Sequence, residues 1–313
     1  MILTVTANPA WDVTYTVDAL HPGDSHRVRA VTGQAGGKGV NVSRVLAQLG
    51  LDTVATGLVG GSAGADLVAE LAGAGVPAAF LDAPVRTRSA VAVVDDAGTA
   101  TVLNEPGPVV DPGLWSALVE HLTPLIAAAE VVVLAGSLPP GSPADAYAQL
   151  TALVHRLGRR CLVDADGPAL AAALAAAPDL VKPNRAELLR ATGAGDLPAA
   201  VEACLSAGVP RVVVTDGAAG MRGADRRGSW LARPPALTPV NPTGAGDAAS
   251  AAFAVGLAAG EDWPDLLRRA TAWSAAAVLH PRAGRLAADR IGELADRTTL
   301  EQVRPRTAEE FPC

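Results

Sequence analysis

The chain has 313 residues, half of them hydrophobic, and a formal net charge of −7. That length can bury a large core, as one large α/β domain or two smaller ones. The acidic balance argues against nucleic acid and anionic membrane surfaces as partners. No apolar run reaches the ~18 residues of a membrane helix without a charge or a breaker.

Residues 2–7 form an apolar run that Asn8-Pro9 ends, and no basic segment precedes them, so they read as a strand rather than a signal peptide. Residues 13–17 alternate Val, Thr, Tyr, Thr, Val, the pattern of a half-exposed strand. Helical spacing follows at 40–49. Strands are then expected at 53–58, 131–135, 160–164, 179–181 and 211–215, and helices at 64–73, 112–128, 143–157, 184–191 and 197–206. This strand-then-helix rhythm predicts a parallel sheet covered on both faces. Residues 88–94 and 99–104 break the rhythm as short strands joined by Asp95-Asp96-Ala97-Gly98, a hairpin signal. With residues 13–17 they suit a small separate sheet, a lid or a dimer surface. Helices are expected again at 247–259, 264–280 and 287–296, and the charged, proline-bearing residues 301–313 read as a loose tail. There is no internal repeat and no low-complexity linker.

Three cysteines, Cys161, Cys204 and Cys313, are an odd number without metal-ligand spacing, which fits reduced thiols in a cytoplasmic protein. The five histidines show no ligand pairing.

The most informative segment is Asn241-Pro242-Thr243-Gly244-Ala245-Gly246-Asp247, followed by a small apolar run to Ala259 that reads as a buried helix. Two glycines before a helix leave backbone N–H groups bare, and the helix dipole adds partial positive charge there. This suits an anion such as a transferring phosphoryl group. A carboxylate beside an anion hole makes sense if Asp247 takes a proton from a hydroxyl that attacks phosphorus. Taken alone, the same turn also suits an ordinary helix start with an acid favoured by the dipole.

Lysine usage adds a second signal. Of 25 basic residues only Lys38 and Lys182 are lysine, which points to sites needing a compact ammonium rather than a planar fork. Lys38 lies in Gly36-Gly37-Lys38-Gly39 and Lys182 in Lys182-Pro183-Asn184. A P-loop is absent: Thr32 stands where its first glycine belongs, and Gly39 where Ser or Thr would hold magnesium. No G-x-G-x-x-G occurs, which argues against a Rossmann dehydrogenase. Glycine-rich turns after strands near 36–39, 136–141 and 244–246 instead fit a kinase with a phosphorylated substrate.

Six motifs, in this order, resemble the PfkB (ribokinase-like) carbohydrate kinases from Met1 to about Gly284. They are Thr4-Val5-Thr6-Ala7-Asn8-Pro9-Ala10-Trp11-Asp12, Gly36-Gly37-Lys38-Gly39-Val40-Asn41-Val42-Ser43-Arg44, Thr87-Arg88, Gly136-Ser137-Leu138-Pro139-Pro140-Gly141, Lys182-Pro183-Asn184-Arg185-Ala186-Glu187 and Gly244-Ala245-Gly246-Asp247. Within the family they are most similar to those of 1-phosphofructokinases and tagatose-6-phosphate kinases. The resemblance implies a ribokinase-like α/β fold: a central, mostly parallel sheet with helices on both faces, and a small β-sheet lid that often mediates dimerisation. It implies a single kinase domain over 1–300, with lid strands at about 12–18, 27–34 and 87–104, and a C-terminal tail at 301–313.

It also implies roles. Asp247 resembles the general base, and the N–H groups of Ala245, Gly246 and Asp247, after Gly244, resemble the anion hole. Asp12 resembles the carboxylate that holds sugar hydroxyls, with Gly37, Lys38 and Asn41 as further substrate contacts. Arg88, Lys38 and Ser137 are similar to a clamp on the sugar's existing phosphate, a task that suits arginine's fork. Asn184 and Glu187 are similar to an Asn-x-x-Glu element that positions Mg2+ through water. Lys182, Asn184, Thr215, Gly217, Gly220 and Gly246 are implied contacts to ATP. The implied reaction is ATP-dependent phosphorylation of a sugar phosphate, with fructose 1-phosphate first, tagatose 6-phosphate or fructose 6-phosphate next, then a free sugar or nucleoside. A binding protein that kept the fold and lost catalysis is the reading from another class.

Some positions depart from the pattern. Ser89-Ala90 follows Arg88 where an asparagine is frequent, Asp164-Ala165-Asp166-Gly167 replaces Asp-Thr-Ser-Gly, Trp11 is bulkier than usual, and Asp216 puts negative charge near the expected ATP phosphates. These bear on the identity of the sugar rather than on phosphoryl transfer.

Overall fold

A computed structural model describes residues 1–303. Strand β1 (Ile2–Thr6) starts the chain in its core, with every residue buried. Strands β2 (Ala10–Thr16) and β3 (Ala30–Gly36) follow. Helix α1 (Lys38–Gln48), β4 (Thr53–Val59), α2 (Gly61–Gly73) and the short β5 (Leu81–Asp82) come next. Strands β6 (Arg88–Val94) and β7 (Ala100–Asn104) form a hairpin. The strand–helix rhythm then runs through α3 (Pro112–Ala128), β8 (Val131–Ala135), α4 (Ala146–Arg156), β9 (Arg160–Asp164) and α5 (Gly167–Leu174). It continues with β10 (Leu180–Val181), α6 (Arg185–Thr192), α7 (Leu197–Ser206) and β11 (Val212–Thr215). A hairpin of β12 (Met221–Asp225) and β13 (Gly228–Arg233) precedes α8 (Ala245–Ala259), α9 (Trp263–Val278), α10 (Ile291–Asp296) and β14 (Thr299–Val303).

Ten strands form the main sheet in the order β14-β13-β12-β11-β10-β9-β8-β1-β4-β5. From β11 to β5 every pairing is parallel; β12, β13 and β14 extend the edge antiparallel. Helices cover both faces, which is why the central strands read as unbroken Val and Leu runs. Within β8, Val132 and Leu134 face one core with Leu118, Leu122 and Tyr147, while Val131, Val133 and Ala135 face the other with Val45, Phe253 and Leu266. Truncating one such side chain, Leu134→Ala for example, costs about 2–5 kcal/mol through lost transfer energy and the cavity left behind. A second sheet of four strands, β3-β2-β6-β7, stands apart from the main one.

The structure differs from the sequence expectations in a few elements. Helix α5 was not expected; Asp166 caps it through Gly167 N–H and proline follows in the first turn, but its alanine-rich run carries little amphipathic contrast. Hairpin β12–β13 was also missed, because its strands mix small and charged residues without clean alternation. The tail expected at 301–313 needs correction: Glu301, Gln302 and Val303 pair with Leu231, Trp230 and Ser229 as part of β14. Residues 304–313, with Cys313, lie outside the described residues.

Candidate active site

Strand ends and helix starts converge at the C-terminal edge of the parallel strands, the usual ligand side of such sheets. Here α8 begins without a side-chain cap. The turn before it is held by Thr243 N–H donating to Asn241 Oδ1 (2.9 Å) and Asn241 Nδ2 donating to Pro281 O (3.0 Å). Gly244 has φ +86°, and a Cβ there would lie 3.0 Å from Gly284 N, so a side chain is excluded by both strain and space. Ala245 N–H reaches Pro242 O only at 3.4 Å, and the N–H groups of Gly246 and Asp247 donate to no acceptor among the described residues. An uncapped helix N-terminus with free donors is an anion site in waiting.

Asp247 is 8 % exposed in the first turn of α8. Asn41 Nδ2, from α1, donates to its Oδ2 at 2.8 Å. Burial pushes the Asp247 pKa up to about 6 and the Asp164 carboxylate adds to the rise, against the Asn41 hydrogen bond, Lys182 and Lys38. Asp12, on β2, is likewise pushed up to about 6, first by burial, with Arg88 opposing and Asp247 reinforcing. The Asp12 carboxyl packs on Gly36, where a Cβ would lie 2.1 Å from it. Gly37, at φ +114°, lets α1 start directly beneath Thr6. Asp247, Asp12, Gly37 and Asn41 therefore share one neighbourhood.

A second cluster adjoins it. Asp164, at the end of β9, is 1 % exposed and meets Lys182 Nζ at 2.9 Å and Lys38 Nζ at 3.0 Å, while Ser250 Oγ donates to it at 2.8 Å. Burial alone would raise the Asp164 pKa, but Lys182 and Lys38 together hold it down to about 2. The same Asp164 charge raises the Lys38 pKa above its ordinary value despite partial burial. Lys182 Nζ lies 3.5 Å from where a Cβ on Gly246 would sit, so its charge faces the bare start of α8. Lys38 also approaches Glu187 Oε1 at 3.7 Å. The structure thus brings Lys38 together with Lys182 and Glu187 around Asp164, with the Lys38 backbone and Cβ beside Gly136, the residue before Ser137.

Arg88, whose charge acts on Asp12, is held by a different set of contacts. Its Nε donates to Asn8 O and its Nη1 to Glu105 O, both at 3.1 Å. Asn8 Nδ2 donates to Pro106 O (2.9 Å) and to Ser137 Oγ (3.3 Å), so Asn8 links Arg88 to Ser137. A cleft of about 400 Å³ here is lined by Arg86, Arg88, Glu105, Pro106, Gly107 and Pro108.

On the other side of α6 a cleft of about 340 Å³ is lined by Asn184, Arg185, Ala186, Leu189, Thr215, Asp216 and Gly217. This holds Asn184, Thr215 and Gly217 of the residues implied for ATP. Gly220 is not in that lining; at φ +99° it closes the turn into β12, accepting from Asp216 N–H at 2.9 Å. Asn184 and Glu187 form a reciprocal cap on α6, Glu187 N–H to Asn184 Oδ1 at 2.9 Å and Asn184 N–H to Glu187 Oε2 at 2.7 Å. No group of three His, Cys, Asp or Glu side chains able to hold a metal occurs among the described residues. With Oε2 engaged in the cap, Glu187 Oε1 is left facing the site, which fits a Mg2+ that keeps most of its waters.

Sequence reasoning passed over Asp164 as a site residue, along with Ser250, Asn8, Arg86 and Glu105. One available signal was position: a carboxylate closing the apolar run of a central parallel strand sits on the ligand edge.

An open α/β sheet with an uncapped helix start, a buried carboxylate of raised pKa beside it and a lysine facing both defines a phosphotransferase acting on small molecules. Residues 6–289 match the family model of the pfkB family carbohydrate kinases, and the chain belongs to that family. It is 40% identical over 266 residues to a 1-phosphofructokinase of Xanthomonas campestris pv. campestris, covering 82% of this chain and 83% of that one. Phosphofructokinase-2 from Escherichia coli matches it with a TM-score of 0.87 at 30% identity, over 94% of this chain and 98% of that one. A possible 1-phosphofructokinase from Thermotoga maritima matches with a TM-score of 0.85 at 26% identity, over 97% and 99% of the two chains.

Proposed function

We propose that this kinase transfers the γ-phosphoryl group of ATP to the free primary hydroxyl of fructose 1-phosphate, giving fructose 1,6-bisphosphate and ADP. The observation that carries the reading is Asp247, a buried carboxylate at the uncapped start of α8, held by Asn41 and raised to about 6. At neutral pH it is mostly ionised yet basic enough to accept a proton from a hydroxyl. ATP use follows from the family; the sugar phosphate is supported by the curated relative's name and by two arginines in the cleft beyond Asp12.

Asp12 takes hydroxyls of the sugar and points the attacking one at Asp247. As Asp247 accepts its proton, the N–H groups of Gly246 and Asp247 and the Lys182 ammonium stabilise charge on the passing phosphoryl group. Asp164 fixes the position of Lys182. Glu187 and Asn184 are the residues to hold Mg2+ through water, and the metal when bound supplies charge neutralisation on the phosphates. The four-stranded sheet exposes Val31 (62 %), Val102 (54 %) and Leu103 (62 %), which supports pairing of two copies through this lid. Free buried Cys161 and Cys204, and the absence of any membrane-length apolar helix among the described residues, support a cytoplasmic location.

The test is ADP release by a coupled assay with ATP and Mg2+ across fructose 1-phosphate, fructose 6-phosphate, tagatose 6-phosphate, fructose and ribose. Dominant kcat/KM on fructose 1-phosphate is expected. Activity on free sugars alone, or on none of the five, would overturn the reading.

A further inference from the structure

The cleft beside Arg88 contains a charge arrangement that the family resemblance does not assign. Arg86 and Arg88 flank Thr87, which is 2 % exposed and accepts Gly60 N–H at 2.9 Å. With Thr87 turned into the protein, residues one step either side of it in extended chain turn outward together. Both line the cleft. Arg88 is already half committed: two of its donors go to the Asn8 and Glu105 carbonyl oxygens. Those contacts position it and leave Nη2 as the terminal nitrogen without a protein acceptor. Neither lysine is among the residues lining this cleft. A phosphate dianion bound beside Arg88 therefore needs a second cation, and Arg86 is the one the cleft contains.

Arg86 is 70 % exposed, and its Nη2 donates to Glu105 Oε2 at 2.7 Å. The same Glu105 oxygen accepts Ser89 N–H at 2.9 Å. One anionic oxygen thus receives a guanidinium and a backbone N–H at the mouth of the cleft, the donor set that a phosphoryl oxygen takes. Glu105 directly follows β7, and its backbone N–H donates to Ser89 O at 3.2 Å, next to Arg88.

We propose that Arg86 is a specificity-determining contact to the phosphate that the substrate already carries, and that Glu105 is an internal anion whose place at Arg86 and Ser89 N–H this phosphate takes. The inference rests on the sugar-phosphate reading above. With Glu105 in place the three side chains sum to a single positive charge, so a bound dianion meets repulsion from the carboxylate until the exchange occurs. Glu105 tunes affinity downward, and Arg86 raises it.

The experiment is steady-state kinetics of Arg86→Ala, Arg86→Lys and Glu105→Gln with fructose 1-phosphate, and inhibition of each variant by inorganic phosphate. Losing one charge-assisted contact predicts a KM for fructose 1-phosphate roughly tenfold higher in Arg86→Ala, with KM for ATP unchanged, and partial recovery in Arg86→Lys. Glu105→Gln should lower KM for fructose 1-phosphate and tighten phosphate inhibition, each several-fold. A merely structural role would move ATP and sugar together and would not reverse sign between the two sites. A wild-type enzyme selective for the phosphorylated sugar whose Arg86→Ala variant keeps its KM would overturn the Arg86 role alone. Glu105→Gln with a raised KM would overturn the exchange. Wild-type activity confined to free sugars would overturn the substrate reading and this inference with it.

Discussion

Asp247→Asn separates the catalytic role of this carboxylate from its cost to the fold. The group is nearly buried and its pKa stands at about 6 against 3.8 unperturbed. A displacement of about two units corresponds to about 3 kcal/mol. Between those two values the native state keeps the proton that the unfolded chain has lost, so stability falls as pH rises through the window, and the full cost is present above about 6. Asparagine has nearly the same shape, can accept Asn41 Nδ2 with its own oxygen and carries no charge. The variant should therefore be more stable than wild type near pH 8, by up to about 3 kcal/mol or roughly 4–5 °C for a chain of this length. The advantage should shrink to nothing near pH 4, where both side chains are neutral. Turnover should fall by a factor of about 10²–10⁴ with the base removed. Thermal unfolding by circular dichroism across that pH range, beside the coupled ADP assay, reads both. A variant less stable than wild type near pH 8, or an advantage that persists in acid, would refute the electrostatic account; near-normal turnover would refute the base.

Three further outcomes follow from the same geometry. The pH profile of kcat/KM should fall below about 6 and approach a two-proton slope in acid, because Asp247 and Asp12 both stand near that value and both must be ionised, while their mutual repulsion spreads the two steps; a profile flat to about pH 5 would contradict this. Lys182→Met leaves the buried Asp164 with Lys38 alone and should cost about 3–5 kcal/mol in urea unfolding, where an unchanged midpoint would show that Asp164 does not need the pair. Gly244→Ala forces a Cβ to within 3.0 Å of Gly284 N at φ +86°, so kcat should drop and the melting temperature fall, and an unaltered kcat would mean that the start of α8 tolerates movement.

The parts of the fold that were legible in the sequence are those whose burial pattern is local. Strands β1, β8 and β11 are buried on both faces and announce themselves as apolar runs, and the glycine turns before α1 and α8 mark where backbone must approach closely. Hairpin β12–β13 is set by distant packing instead: Gly223 lies against Trp263, forty residues on, and nothing local requires it. Strand β14 depends on pairing with β13, nearly seventy residues earlier. The site shows the same division. Asn184 and Glu187 could be read as one helix face, but the junction at Asp164 gathers side chains 126 and 86 residues away. The rarity of lysine was a true pointer to that junction: a single buried carboxylate that meets two cations suits compact ammonium groups better than two planar forks. What lysine usage could not give was the partner on which both ammonium groups converge, the buried Asp164.

The most direct test of the central claim is a phosphorus NMR spectrum of the products formed from ATP, Mg2+ and fructose 1-phosphate. The account predicts a second sugar phosphate ester appearing in step with ADP, and no inorganic phosphate. ADP with inorganic phosphate, or unchanged ATP, would contradict it.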